Sequence, residues 1–534
     1  MTTNLARLYV EPTPQTEPVD ARQVRNNAGG FVFALDDWKR LDRFLVLGSE
    51  AATYYQSAKS LTRENANGVL ACYASDAERT VARIVEISLE ARAPRVSPAI
   101  FALALGAAHP DVAVRRLAYA ALPKVCRTAS HLFEFLATGH ALGKGWGRGL
   151  KRAVADWYAS KDVDRLAFQA VKYRERNGMT HARVLRTTHP RPAADDLARR
   201  DLYRWMLDGT STIDGALPEI VRVHDEAMAS DSPARIAELA PRLPWEAIPT
   251  WAHGHAGVWQ ALLPTLGTTA LVRNLGRLTK LGVLSPLNRE TDMVVGRLLD
   301  ADRLKAERIH PFSLLLALAA YRLGRPQAAQ RRGVGDEAGW EPVGEILQAL
   351  DEAFHLAFRT VAPSGKRHLL ALDVSGSMGS SNLMGTALSA REASAAMALV
   401  TAATERRTHV VGFSNRMTKL DLTGRMRLDQ AVRAVSDLPF ESTDCGLPMR
   451  YALEQGIEVD TFVVYTDNET YAGREHPHVA LKRYRATTGI PARLIVVGMT
   501  STGFTIADPT DAGMLDLVGF DAAAPALMAD FSRG

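Results

Sequence analysis

Residues 368–377 read His368-Leu369-Leu370-Ala371-Leu372-Asp373-Val374-Ser375-Gly376-Ser377, a short apolar run that breaks into one carboxylate and two hydroxyls. An apolar run of this length predicts a buried strand, and residues 409–413, 461–466 and 494–497 read the same way. Amphipathic stretches at 387–405, 447–455 and 479–488 predict helices between them. Strands alternating with helices beyond Ser364-Gly365 form the pattern of a doubly wound parallel sheet, in which ligands sit at the carboxyl ends of the strands. The Asp373–Ser377 loop therefore falls where such a sheet presents its chemistry.

Another predicted strand ends in Thr466-Asp467-Asn468-Glu469, and Thr443 lies in the loop before the helix that precedes it. Asp373, Ser375, Ser377, Thr443 and Asp467 are thus expected to converge on one sheet edge. This all-oxygen set suits a hard divalent cation. Mg²⁺ fits because it takes octahedral oxygen ligands and keeps waters, which Asp373 and Asp467 can hold; Ca²⁺ and Mn²⁺ accept the same donors. Asp-x-Ser-x-Ser alone is commonly a turn with a helix cap, but the strand context and the two distant partners favour the site. His409 is expected in the strand, and Glu441 and Asp444 are expected as solvated loop residues, not ligands. No nucleophile with a base, phosphate loop or catalytic carboxylate pair stands nearby, so no enzymatic activity is expected.

Upstream, from about residue 26 to 358, apolar residues recur at helical spacing, as in Val81, Ile84, Val85 and Leu89, or Val114, Leu117, Ala118 and Leu122. The chain then divides into an N-terminal segment (1–25), an all-α domain (26–360) and an α/β metal-site domain (364–534).

Charge is distributed unevenly between them. The chain carries a net +5, but residues from Val361 onward carry −2, whereas Arg115 to Arg191 alone carry +11. Local charge of this density is what a polyanion meets. In 146–152, Arg148, Lys151 and Arg152 share one helical face while Leu150, Val154 and Trp157 point elsewhere; a solvated charged face explains that helix equally well. The segment from Lys172 to Pro192 adds Arg174, Arg176, Arg186 and the donors His181 and His189, a mixture suited to structured RNA. Trp146, Tyr158 and Tyr173 interleave with these cations, although aromatics at helical spacing are more often core.

Cys72, Cys126 and Cys445 show no metal or disulfide spacing. The first twenty residues lack an apolar signal core and no run is long enough to span a bilayer, so a cytoplasmic protein without membrane association is expected.

The metal set resembles the metal-ion-dependent adhesion site of von Willebrand A domains, matching all five positions of its Asp-x-Ser-x-Ser, Thr, Asp pattern. The resemblance implies that Ser375, Ser377 and Thr443 touch the metal directly and that an acidic partner group completes the shell. The helical half resembles the TROVE domain of the Ro autoantigen family in Asn26-Asn27-Ala28-Gly29-Gly30-Phe31, Arg43 to Glu50, Thr53-Tyr54-Tyr55, Cys126-Arg127-Thr128, Gly145 to Tyr158, Lys172 to Pro192 and Val272 to Arg277. That resemblance implies a ring of HEAT-like helical repeats closed by the A-type domain. It also implies Y RNA on the outer surface, misfolded or single-stranded RNA ends in the hole, and an exoribonuclease working alongside. Lys172 and His189 fall at the family's Y RNA contacts, with Arg127, Arg174 and Arg176 in the shared motifs. Departures are Ala51-Ala52 in place of a Gly pair and Met179-Thr180 in place of Trp-Ser. The competing function is a protein-interaction scaffold using the helical repeats and the metal site.

Overall fold

The computed structural model describes residues 12–48, 58–209, 216–324, 339–358, 361–380, 388–436, 438 and 441–534. Two compact units emerge. One combines the described residues up to Gly68 with Arg92–Pro94 and Phe358–Gly534; the other holds Val69–Ala91 and Arg95–Ala357. This departs from the expected boundaries, because residues 26–48 lie with the α/β unit and not with the helical one. Their local chemistry explains it. Asn26 to Gly30 form a tight turn between two antiparallel strands, β1 (Gln23–Arg25) and β2 (Phe31–Ala34), so the stretch is not helical at its start. Helix α1 (Asp37–Leu47) follows, opened by the Asp36 carboxylate accepting from the Lys39 amide and closed at Gly48. Ser49, Glu50, Ala51-Ala52 and Thr53-Tyr54-Tyr55 lie outside the described residues.

In the helical unit, α2 (Ala58–Ser75), α3 (Ala77–Leu89), α4 (Ser97–Ala108), α5 (Val112–Val125), α6 (Ala129–Ala141), α7 (Arg148–Ala159) and α8 (Val163–Lys172) succeed one another, with α2 spanning the join between units. A small hairpin, β3 (Glu175–Arg176) with β4 (Met179–Thr180), leads into α9 (His181–Thr188), and helices continue to Gly344–Leu356. Side-chain caps fix the starts. Asp76, Asp111, Thr128, Asp162 and Thr180 each accept a backbone N–H in the first turn of α3, α5, α6, α8 and α9, each worth about 1 kcal/mol. Helix α4 is apolar on nearly every face and is buried accordingly. In α7, Val154, Trp157 and Tyr158 are fully buried, and the Trp157 indole donates to the Cys126 carbonyl at 2.5 Å.

The second unit is built on a six-stranded sheet of β5 (Arg367–Asp373), β6 (Arg407–Phe413), β7 (Met417–Lys419), β8 (Thr461–Thr466), β9 (Arg493–Gly498) and β11 (Met514–Val518), in the order β11-β9-β8-β5-β6-β7. All pairings are parallel except that of the edge strand β7. The four strands read from the sequence are found within one or two residues. Helices Ala390–Thr404, Leu447–Glu454 and Pro477–Thr488 match the three expected ones, with Ala387 outside the described residues. The short strand β10 (Phe504–Thr505) leaves this sheet to pair with β2.

Thus the N-terminal stretch is a strap bound into the α/β unit by buried polar contacts. The Gln15 amide, wholly buried, donates to Asp444 Oδ1 and the Glu475 carbonyl at 2.8 Å each. Asn26 donates to the carbonyls of Asn468 and Thr470 at 3.2 and 2.8 Å. Arg43, also fully buried, reaches Asp516 at 2.7 Å and the carbonyls of Thr502 and Phe504. Gly30 makes this approach possible: a Cβ there would lie 1.9 Å from the Thr470 carbonyl oxygen. That oxygen is already fixed by Asn26, so it cannot retreat. Gly30→Ala is expected to cost about 1–3 kcal/mol, read as a lowered melting temperature; a variant melting like the wild type would show the strap to be loosely held.

Candidate functional site

The parallel register of β5 and β8 sets the site. It places Leu372 opposite Tyr465, so Asp373 ends one strand beside Thr466, and Asp467 follows directly. The Thr466 hydroxyl donates to Asp373 Oδ2 at 2.6 Å and the Ser375 amide to Oδ1 at 3.0 Å. Ser375 Oγ and Ser377 Oγ lie 3.2 Å apart. Thr443 is held in the adjoining loop, its carbonyl accepting from the amides of Tyr471 and Ala472. All five residues are buried. Arg391 clamps the loop from beneath, donating to the carbonyls of Val374, Ser375 and Leu438.

Electrostatically the set is incomplete as a protein-only cluster. Burial, then the neighbouring Asp467, pushes the Asp373 carboxyl well above the usual carboxylate range, and burial raises Asp467 as well. One oxygen of Asp467, Oδ2, is buried with no hydrogen-bond partner. Two adjacent buried carboxylates with an orphaned oxygen, ringed by hydroxyls, fit a divalent cation. Among the described residues no cluster of three or more His, Cys, Asp or Glu has metal-ligand geometry, which agrees with a site resting on hydroxyls and only two carboxylates.

Three nearby acids differ in role. Glu469, not singled out from the sequence, is buried beside Asp467 and receives the Asn27 amide at 2.7 Å and the Ala28 N–H at 3.0 Å. Burial and then Asp467 push its carboxyl up to about 8. Its signal in the sequence was only its place two residues after Asp467; its partners are more than four hundred residues away. Asp444 corrects the expectation of a solvated loop residue, being buried between Gln15 and Arg450. Glu441 accepts from Ser414 Oγ at 3.0 Å and pairs with Arg416 at 2.8 Å. His409 is exposed on β6.

On the helical unit the basic residues separate into free and engaged sets. Arg148 and Arg152 on α7 and Arg174 before β3 are exposed, Lys151 is half-buried, and none of the four has a counterion among the described residues. Lys172 lies 3.7 Å from Glu246 and over the rings of Phe168 and Tyr173. Arg176 stands 3.5 Å from Glu134, Arg186 donates to the Leu207 carbonyl, and the half-buried Arg127 ties Ser88 to the Lys124 carbonyl. His189 is exposed and caps α9 in the left-handed conformation, φ 48°. His181 is a correction: it is buried, its Nδ1 2.8 Å from the Tyr158 hydroxyl and its ring packed against Phe133, so it cannot touch RNA. Its place on the inner face of α9 explains the misreading. Tyr158 is core as expected.

Hydroxyl and carboxylate oxygens gathered at the carboxyl edge of a mostly parallel sheet define a von Willebrand A-like domain, carried here on the same chain as a helical domain. The comparisons narrow this class. The Ro60 vWA domain family model matches residues 367–532 and the TROVE domain model matches 24–212 and 237–327. The "RNA-binding protein RO60" of Deinococcus radiodurans is 44% identical over 527 residues, covering 98% of this chain and 97% of the relative. That of Caenorhabditis elegans is 34% identical over 600 residues, covering 97% and 91%. The crystal structure of the Deinococcus radiodurans RO (RSR) protein has 41% identity and a TM-score of 0.70, covering 93% of this chain and 99% of that one. This chain belongs to the Ro60 family.

The two units are expected to respond oppositely to pH. Carboxyls raised by burial stabilise the metal-free α/β unit only while they stay protonated; that contribution is full below the unfolded value near 3.8 and is lost as pH rises through the raised folded ones. In chelator, melting of this unit should therefore fall from pH 5 to 8. Millimolar Mg²⁺ should reverse the fall in the wild type but not in Ser375→Ala or Asp467→Asn. A wild type indifferent to Mg²⁺ would refute the fit. His181 runs the other way: burial holds it at about 4, so its neutral form stabilises the helical unit above the unfolded value near 6.5, and this is lost as pH falls towards 4. His181→Gln should flatten that acid limb in pH-dependent melting.

Proposed function

We propose that this protein binds RNA, holding structured non-coding RNA of the Y-like kind on the basic face of the helical unit and taking the single-stranded ends of misfolded RNA elsewhere on the chain. It acts in RNA quality control or processing as a clamp or adaptor beside an exoribonuclease that does the cutting. One observation carries the reading: Arg148, Lys151, Arg152 and Arg174 stand without counterions among the described residues, in a stretch with a large basic excess. Surface cations are ordinarily interspersed with acids, and a set left unpaired is suited to phosphates. The relatives named as RNA-binding proteins support it. A cytoplasmic setting agrees with the free, buried state of Cys72, Cys126 and Cys445, and no described helix is long and apolar enough to cross a membrane.

At the sheet edge, Ser375, Ser377 and Thr443 would hold a divalent cation, Mg²⁺ foremost, with Asp373 and Asp467 positioning its waters. The cation supplies a Lewis-acidic seat for an acidic partner group. RNA binding by the helical unit does not depend on it.

Filter binding of a stem-containing Y-like RNA across 50–200 mM salt tests the reading. Affinity should fall steeply, and Lys172→Ala should make the slope shallower by roughly one phosphate contact or less, since Glu246 already engages that ammonium. His189 needs a variant that keeps its backbone conformation: Asn adopts the left-handed region readily. His189→Asn should preserve the melting temperature yet cost about 1–3 kcal/mol for the structured RNA, with little change for a plain oligonucleotide. Salt-independent binding would defeat the phosphate reading, and unchanged affinity in His189→Asn would leave His189 as a cap alone.

A further inference from the structure

We infer that a recess at the ends of α4 to α7 seats one unpaired nucleobase of a bound RNA, a site that deepens the RNA-binding reading and rests on it. The recess reaches about 360 Å³ only when the open solvent at its mouth is counted, and its lining includes Tyr119, Phe135, Gly139, His140, Lys144 and Trp146. It is shallow and partly open, with aromatic and aliphatic walls and a cationic rim. That shape excludes a bulky ligand and suits a flat one that leaves an edge in solvent.

Glycines keep it open. Gly139 lies within α6, yet a Cβ there would meet nothing within 4 Å, whereas a Cβ on Gly149 would come within 3.1 Å of the Tyr119 ring. The bare backbone of Gly149 therefore lets α7 pack directly on Tyr119. Trp146 is half-buried, and its indole N–H has no protein acceptor among the described residues. The indoles of Trp157, Trp205, Trp259 and Trp340 donate within the fold, whereas Trp146, like Trp245 and Trp251, keeps its N–H unused among the described residues. An aromatic ring kept at the surface with its polar edge unused can stack on a base and hydrogen-bond it.

Charge selects the occupant. Between Glu134 and Asp156 the chain carries no acid, while Lys144, Arg148, Lys151 and Arg152 lie in that interval. A nucleobase arrives with a phosphate on each side, and these cations flank the recess in sequence on the loop after α6 and on α7. An aromatic side chain of a neutral or basic peptide would leave them unpaired.

The test uses the full chain and a stem-containing Y-like RNA bearing a single 4-thiouridine at an unpaired position. Gly139→Leu fills the recess, and replacing glycine inside a helix favours folding, so its melting temperature should match or exceed the wild type. Trp146→Ala removes the stacking wall. Each variant should bind this RNA about tenfold more weakly with an unchanged salt slope, and photocrosslinks in the wild type should map to residues 140–152 or to Tyr119. Wild-type affinity in Gly139→Leu, or crosslinks only elsewhere, would overturn the recess while RNA binding stood. A wild type that bound no RNA at salt concentrations from 50 to 200 mM would instead overturn the reading on which it rests.

Discussion

The ladder between β5 and β8 is the constraint on which the α/β unit is organised. Because the two strands are parallel and in register, their last residues bring Asp373 and Asp467 to the same edge, where burial denies both carboxylates the water that would screen them. Each surrounding feature answers that cost. Thr466 and the loop amides donate to the carboxylates, Arg391 secures the loop through its carbonyls, and the strap from the N-terminus brings Asn27 and Ala28 to the next acid, Glu469. Shifting one strand of the ladder by one residue would turn its side chains to the other face of the sheet and part the two carboxylates.

How much of this was legible depended on the range of the interaction. The central strands announced themselves because a strand buried on both faces is a continuous apolar run, and Asp373, Ser375 and Ser377 followed from one loop. Strand β7 was not legible: Met417–Lys419 is an edge of three residues with one exposed and two half-buried positions. The pairing of the strap was not legible for a related reason. Asn26 to Phe31 carries turn residues beside apolar ones, and only Asn468, Thr470 and β10 reveal that it completes the other unit. His181 shows the converse limit, since a histidine among arginines looks like a ligand contact until helical phase turns it inward to Tyr158.

The helical unit spends its cations in two ways. Arg127, Arg186 and Arg199 satisfy backbone carbonyls that helix ends leave open, which fixes how successive helices meet. Arg148, Arg152 and Arg174 do none of this. Composition alone cannot distinguish the two groups, because both raise the local charge equally; only the first contributes to packing, and only the second leaves its charge available to a polyanion.

The pairing of β2 with β10 also bears on synthesis. Phe33 meets Thr505, so β2 leaves the ribosome roughly half a minute to a minute and a half before its partner, at about 5–20 residues per second. During that interval nearly all of the helical unit, Val69–Ala91 and Arg95–Ala357, becomes available and can fold as an insertion within a host that is still open. Gln15, Asn26 and Arg43 find their buried partners only among residues 444–516, so the nascent N-terminus keeps these polar groups in water until synthesis is nearly finished.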